Sequence, residues 1–102
     1  MSEVVHRWWK TLATVLHHWR RGWPWVAGAP FQPGRLVRVV HAVDVDVMDV
    51  SDHIGKAGCV AFLEYACGCG QQYPDDPMIG VVLVDGTLEE FWREELALLG
   101  AS

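Results

Sequence analysis

The sequence predicts a mainly β fold: a small, strongly bent antiparallel barrel preceded by an amphipathic N-terminal α-helix. Three observations predict it. Apolar residues recur at three- and four-residue spacing from Val4 to Arg20, prolines and glycines interrupt the chain between residues 22 and 34, and short valine-rich runs separated by turn residues follow. The length of 102 residues fits one domain with an appendage: 1–25 as a helical docking segment, 26–33 as a linker, and 34–102 as the barrel with a short C-terminal helical segment.

In the first segment Val5, Trp8, Trp9, Leu12, Val15, Leu16 and Trp19 form one face, and Arg7, Lys10, Thr11, Thr14, His17, His18 and Arg21 fill much of the other. Ser2 followed by Glu3 supplies a cap and a first-turn acid, and Gly22 and Pro24 end the helix. Five of the six tryptophans, Trp8, Trp9, Trp19, Trp23 and Trp25, lie in the first quarter of the chain. A small barrel has too little surface to cover five indoles. Either the helix packs across the barrel and the indoles fill its core, or some of this face docks on a partner, where Trp is enriched as an anchor. Adjacent His17 and His18 diverge around a helix and are not expected to share a metal.

The linker "VAGAPFQP" takes its stiffness from Pro30 and Pro33. Beyond Gly34, "RLVRVVHAVDVDV" reads as a strand in which Val43, Val45 and Val47 alternate with Asp44 and Asp46, and "MDVSDHIGKAG" as a loop. "CVAFLEYA" is a second strand, "CGCGQQYPDDP" a second loop and "MIGVVLV" a third strand. Asp85-Gly86 is a tight-turn signal into "TLEEFW", and "REELALLG" closes the chain as a helical turn or short helix. Phe91 and Trp92 are expected to fill the open end of the barrel or border a groove, Glu89, Glu90, Glu94 and Glu95 to stay in water, and Cys59 to sit in the core as a small buried residue.

The segments "PGRLVRVV", "IGKAGCVAFL", "PMIGVVLVDG" and "EEFWREEL" carry a resemblance to the SH3-like barrel of small accessory chains. The similar chains are the variable subunit of ferredoxin-thioredoxin reductase, the carboxy-terminal part of the nitrile hydratase beta chain, and SH3-like proteins associated with nitrogen fixation. The resemblance covers about residues 33–97 and rests on layout. It implies a barrel that packs against a metal-bearing or redox partner without doing chemistry itself. The Trp-rich head and the Cys-Gly-Cys loop depart from that layout.

The net charge of −5 is unevenly spread. Residues 1–40 carry six cations against Glu3, a net +5, and residues 41–102 carry Lys56 and Arg93 against twelve acids, a net −10. Such a body repels a phosphate backbone, so no nucleic-acid partner is expected. No run reaches the 18–20 apolar residues needed to span a bilayer. Ala27-Gly28-Ala29 imitates a cleavage site, but His17, His18, Arg20 and Arg21 interrupt the apolar stretch that would precede it, so a signal peptide is not expected. An odd set of three cysteines points to a reducing, cytoplasmic setting, with peripheral membrane contact of the basic Trp-bearing helix as an alternative.

Cys67 and Cys69 flank Gly68 and can both contact one zinc or iron ion, but a structural metal wants four ligands. Cys59 lies eight residues away from Cys67 along a strand, roughly 26 Å if straight. His41, His53, Asp75 and Asp76 are available as further ligands but none stands at a recognised spacing from the pair, so a metal or Fe-S role for Cys67 and Cys69 is expected to draw on a second chain. The acidic run through Asp44, Asp46, Asp49, Asp52 and His53 lacks the glycine and terminal glutamate of a calcium loop. No serine or cysteine has a recognisable base partner, and Gly55-Lys56-Ala57-Gly58 is a turn and not a phosphate loop, so no catalysis is expected. The expected function is that of a non-catalytic accessory subunit on a larger, metal- or redox-active protein complex. Trp8, Trp9, Leu12, Leu16, Trp19, Trp23, Trp25 and Tyr73 are its expected contacts. A small metal-binding protein using Cys67 and Cys69 and a membrane-surface attachment module are the alternatives.

Overall fold

A computed structural model describes residues 2–20, 25–43, 49–65 and 73–100. Its elements are α1 (Glu3–Arg20), β1 (Leu36–Val39), a 3-10 turn at Ser51–His53, β2 (Ala57–Glu64), β3 (Met78–Leu83), β4 (Leu88–Phe91), a second 3-10 turn at Arg93–Glu95 and β5 (Leu96–Leu98). The five strands form one antiparallel sheet in the order β4-β3-β2-β1-β5. The fold is thus mainly β with one N-terminal α-helix.

Helix α1 begins where the sequence places its cap: the Val5 amide donates to Ser2 Oγ at 3.2 Å. The turn signal at Asp85-Gly86 also forms. Gly86 takes φ +88°, its amide bonds the Leu83 carbonyl at 2.9 Å, and the Thr87 amide donates to Asp85 Oδ1 at 3.0 Å. That amide first, with Lys56 as a further contributor, holds the Asp85 carboxyl down at about 2.

The inner face of the sheet holds Val37, Val39, Val60, Ile79, Val81, Leu83, Phe91 and Leu96, with Val50 contributed by the segment before the first 3-10 turn. A bulge in β2 between Val60 and Phe62 breaks the strict alternation. Val60 and Leu63 face this core, whereas Ala61 and Phe62 face the opposite side, where they meet Val15 of α1. β2 pairs with β1 through residues 57–59 and with β3 through residues 58–64, so the bend at the bulge lets two wings of the sheet turn around one core.

Four expectations are corrected. The closing "REELALLG" is a single 3-10 turn followed by strand β5, because Leu96 completes the core opposite Val39 and backbone pairing with β1 outweighs helix propensity. Glu95, expected in water, is 0% exposed. Its Oε1 accepts from the Trp92 amide at 2.8 Å and its Oε2 from the Val43 amide at 2.9 Å, which ties the segment after β1 to the junction of β4 and β5. Cys59, expected in the core, is half-buried on the outer face of the sheet between Leu36 and Val82. The first strand stops at Val39, and Val40 and Val43 are exposed; Asp44 to Met48 lie outside the described residues.

The segment 26–33 is a closed loop and not an extended spacer. The Gln32 side chain donates to the carbonyls of Val26 and Ala29 and accepts from the Val26 amide, while Phe31 packs against the core. Nothing in the spacing of Pro30 and Pro33 announces that closure, which depends on one amide reaching across the loop.

Candidate partner-docking surface

α1 lies on the outer face of the sheet. Near its start, Arg7 donates to the Asp85 carbonyl at 3.1 Å and the Thr11 hydroxyl donates to the Gly86 carbonyl. The Trp8 indole lies so close over Gly86 that a Cβ there would come within 2.8 Å of the ring. Mid-helix, Val15 packs on Ala61 and Phe62, with Val82 and Leu88 beside them. Toward the end, the His18 ring stacks on Phe62 at 3.8 Å and 10°, and Trp19 Nε1 donates to the Ala61 carbonyl at 2.8 Å. The Phe62 ring in turn covers Gly80, where a Cβ would meet it at 2.4 Å. Two glycines of the β3–β4 hairpin therefore make room for two aromatic rings.

The docked residues Arg7, Thr11, Val15 and His18, with Trp8 and Trp19 at the margin, do not coincide with the apolar face of the helix. At 100° per residue their centre is turned by roughly 80° from the centre of that face. The polar members are tolerated because Arg7 and Thr11 find backbone acceptors and His18 lies flat on a ring. The consequence is an apolar row left in solvent: Trp9 is 61% exposed, Leu16 51%, and Val5 and Leu12 are similarly open. Arg20, His6, His17 and Lys10 lie on the far side of this row.

Of the expected contacts, Trp8, Trp9, Leu12, Leu16 and Trp19 share this region. Trp8 and Trp19 are divided between sheet and solvent. Trp25 is exposed on the loop that follows, and Trp23 lies outside the described residues. Tyr73 belongs elsewhere: its ring meets Tyr65 edge-on at 4.9 Å, and the Tyr65 hydroxyl donates to the Pro74 carbonyl at 2.7 Å. Burial raises the Tyr65 hydroxyl above its ordinary range, with lesser contributions from Tyr73, Asp75 and Asp76.

Beside α1 the uncovered outer face contributes residues that the sequence reading did not assign to a surface. Leu36, Cys59, Val82, Val84 and Leu99 line an apolar recess of about 440 Å³ with Trp8. A second recess of about 210 Å³ lies between Leu12, Val15 and Trp19 on the helix and Cys59, Ala61 and Val82 on the sheet. The signal available in sequence was the excess of tryptophan, which exceeds what one sheet face can cover.

Cys67 and Cys69 lie outside the described residues. Among the described residues no three His, Cys, Asp or Glu side chains gather as a metal site, and the rings of His17 and His18 meet edge-on at 6.0 Å. No helix among them is long and apolar enough to cross a membrane.

On the sheet, Glu90 of β4 faces Glu64 of β2. A hydrogen bond to Glu64, then burial, then the charges of Glu64 and Glu89 push Glu90 up to about 7. A carboxyl raised in the folded state favours folding below its unfolded value of 4.5, and that advantage disappears as pH rises through 7. Stability is therefore expected to fall by on the order of 1 kcal/mol between about pH 5 and pH 8, a figure discounted for solvent screening. Urea unfolding across this range checks it, and Glu90→Gln should flatten the slope.

No family model matches the sequence, no curated protein matches it, and no solved structure matches the fold, so the functional reading rests on the residues and their geometry.

Proposed function

We propose that the chain is a non-catalytic accessory subunit, an SH3-like barrel that docks on a larger protein complex through the open side of α1 and the neighbouring sheet surface. One observation carries the reading. α1 rests on the sheet by its flank, which leaves Val5, Trp9, Leu12 and Leu16 in solvent as a contiguous apolar row. Such a row on a monomer marks an interaction surface, and tryptophan is enriched at the centre of such surfaces. The bulge in β2 and the two wings that share one core support a barrel-like curvature. The resemblance of residues 33–97 to SH3-like accessory chains supplies the kind of partner, a metal-bearing or redox complex.

The expected result is that the tagged chain co-purifies with a partner from native extract in a fixed ratio that survives size-exclusion chromatography. The double substitution Trp9→Glu, Leu16→Glu should abolish co-purification, yet leave the circular dichroism and the unfolding midpoint close to wild type, because both side chains are exposed. Undiminished binding by this variant would remove α1 as the anchor.

A further inference from the structure

We infer that the recess beside α1 seats an acidic amphipathic helix of the partner, laid alongside α1 on the outer face of the sheet. The inference rests on the accessory-subunit reading and adds the chemistry of what is bound.

The recess has the shape of a groove. Its floor is made of small side chains, Ala57 and Cys59 of β2, with Ala61 closing its far end beneath Val15 and Trp19 of α1, and its walls are the Trp8 and Trp19 indoles on one side and Leu36 and Leu99 on the other. The register of the sheet places these residues on one face: Leu36 opposite Cys59, Cys59 opposite Val82, and Arg38 opposite both Ala57 and Ala97. From Ala57 to Ala61 the floor runs about 13 Å at strand rise, and from Trp8 to Trp19 the wall runs about 16 Å at helical rise. That length accepts about three helical turns, with apolar anchors at i, i+4 and i+7 set over the small floor residues.

The charge around the groove selects the partner. Arg38 stands on the same face as Leu36 and is held by its bond to the Gly55 carbonyl at 2.8 Å, with exposed Arg35 beside Leu36 and Arg7 near Trp8. The carboxylate at this end, Asp85, is engaged by Lys56 at 3.3 Å. Glu64 and Glu90 are engaged with each other, and Glu95 is buried. A helix with acidic flanks is thus attracted here and repelled by the rest of the body, which carries a net −10 over residues 41–102. The same −10 opposes an anionic bilayer, and a flat surface does not reach the recessed floor. The only α-helix among the described residues of a second copy is α1 itself, which brings Arg7, Lys10 and Arg20 against Glu3 and so repeats the charge of the rim.

The test uses the full chain and three probes: a fluorescent peptide of leucines at i, i+4 and i+7 flanked by glutamates, the same peptide with lysines for glutamates, and phosphatidylglycerol vesicles. The expected result is that the acidic peptide binds at least tenfold tighter than its charge-reversed twin and loses at least tenfold on Leu36→Glu or Arg38→Glu. Its affinity should also fall with salt. Both substituted residues are exposed, so both variants should keep the wild-type circular dichroism. Equal binding of the two peptides, binding of vesicles alone, or no binding overturns the inference. Self-association that Leu36→Glu abolishes gives the groove to a second copy and also overturns it. A natural partner lost on Trp9→Glu, Leu16→Glu, but neither displaced by the acidic peptide nor weakened by Leu36→Glu, overturns the inference and leaves the accessory-subunit reading standing.

Discussion

Glu95→Ala is expected to destabilise the chain by about 3 kcal/mol. The carboxylate is fully buried and accepts from two amides far apart in sequence, Trp92 and Val43. Removing it leaves two part-buried amides without their acceptor, each costing up to roughly 1–3 kcal/mol where water does not replace it, and opens a void beside Leu96. Glu95→Gln keeps the volume but turns an NH2 group toward one of the amides, so it should lose roughly half as much. Urea unfolding followed by circular dichroism measures both. An alanine variant with a wild-type midpoint would mean that the two amides reach water when the side chain is gone.

The second large effect is expected at Phe62. This ring lies between His18 of α1 and Gly80 of β3, and is almost fully buried. Phe62→Ala removes the main support beneath the second half of α1, at a cost of about 3–4 kcal/mol. The loss should have a distinctive locality. An 18-residue helix has marginal stability of its own, so its amides should exchange faster than those of β1 and β2, whose core lies on the opposite face. Uniformly faster exchange across helix and sheet would show instead that α1 and the sheet unfold as a single unit.

Local pattern carried much of the architecture. Three- and four-residue spacing and a serine cap marked α1 over Glu3–Arg20, and the stop signals at Gly22 and Pro24 lie outside the described residues. The apolar runs around Val60 and Val81 marked β2 and β3, and Asp85-Gly86 marked the turn before β4. β5 was not legible in this way. "REELALLG" has ordinary helix-forming residues, and only the vacancy beside β1 makes Leu96–Leu98 a strand. The bulge that sends both Ala61 and Phe62 toward the helix is equally invisible to a period-two reading, since it depends on the register against β3.

The docking surface divides along the same line. Sequence alone determined that the N-terminal segment is a basic, Trp-rich amphipathic helix, that its apolar side exceeds what a small sheet can cover, and that the rest of the chain is acidic. Tertiary structure decided how that side is shared. The backbone carbonyls of Asp85 and Gly86 and the flat ring of Phe62 accept Arg7, Thr11 and His18, so the helix settles on its flank. Periodicity ranks side chains by hydropathy. The orientation of a docked helix is set by which polar groups find partners and where glycine leaves room, and those are properties of the surface it meets.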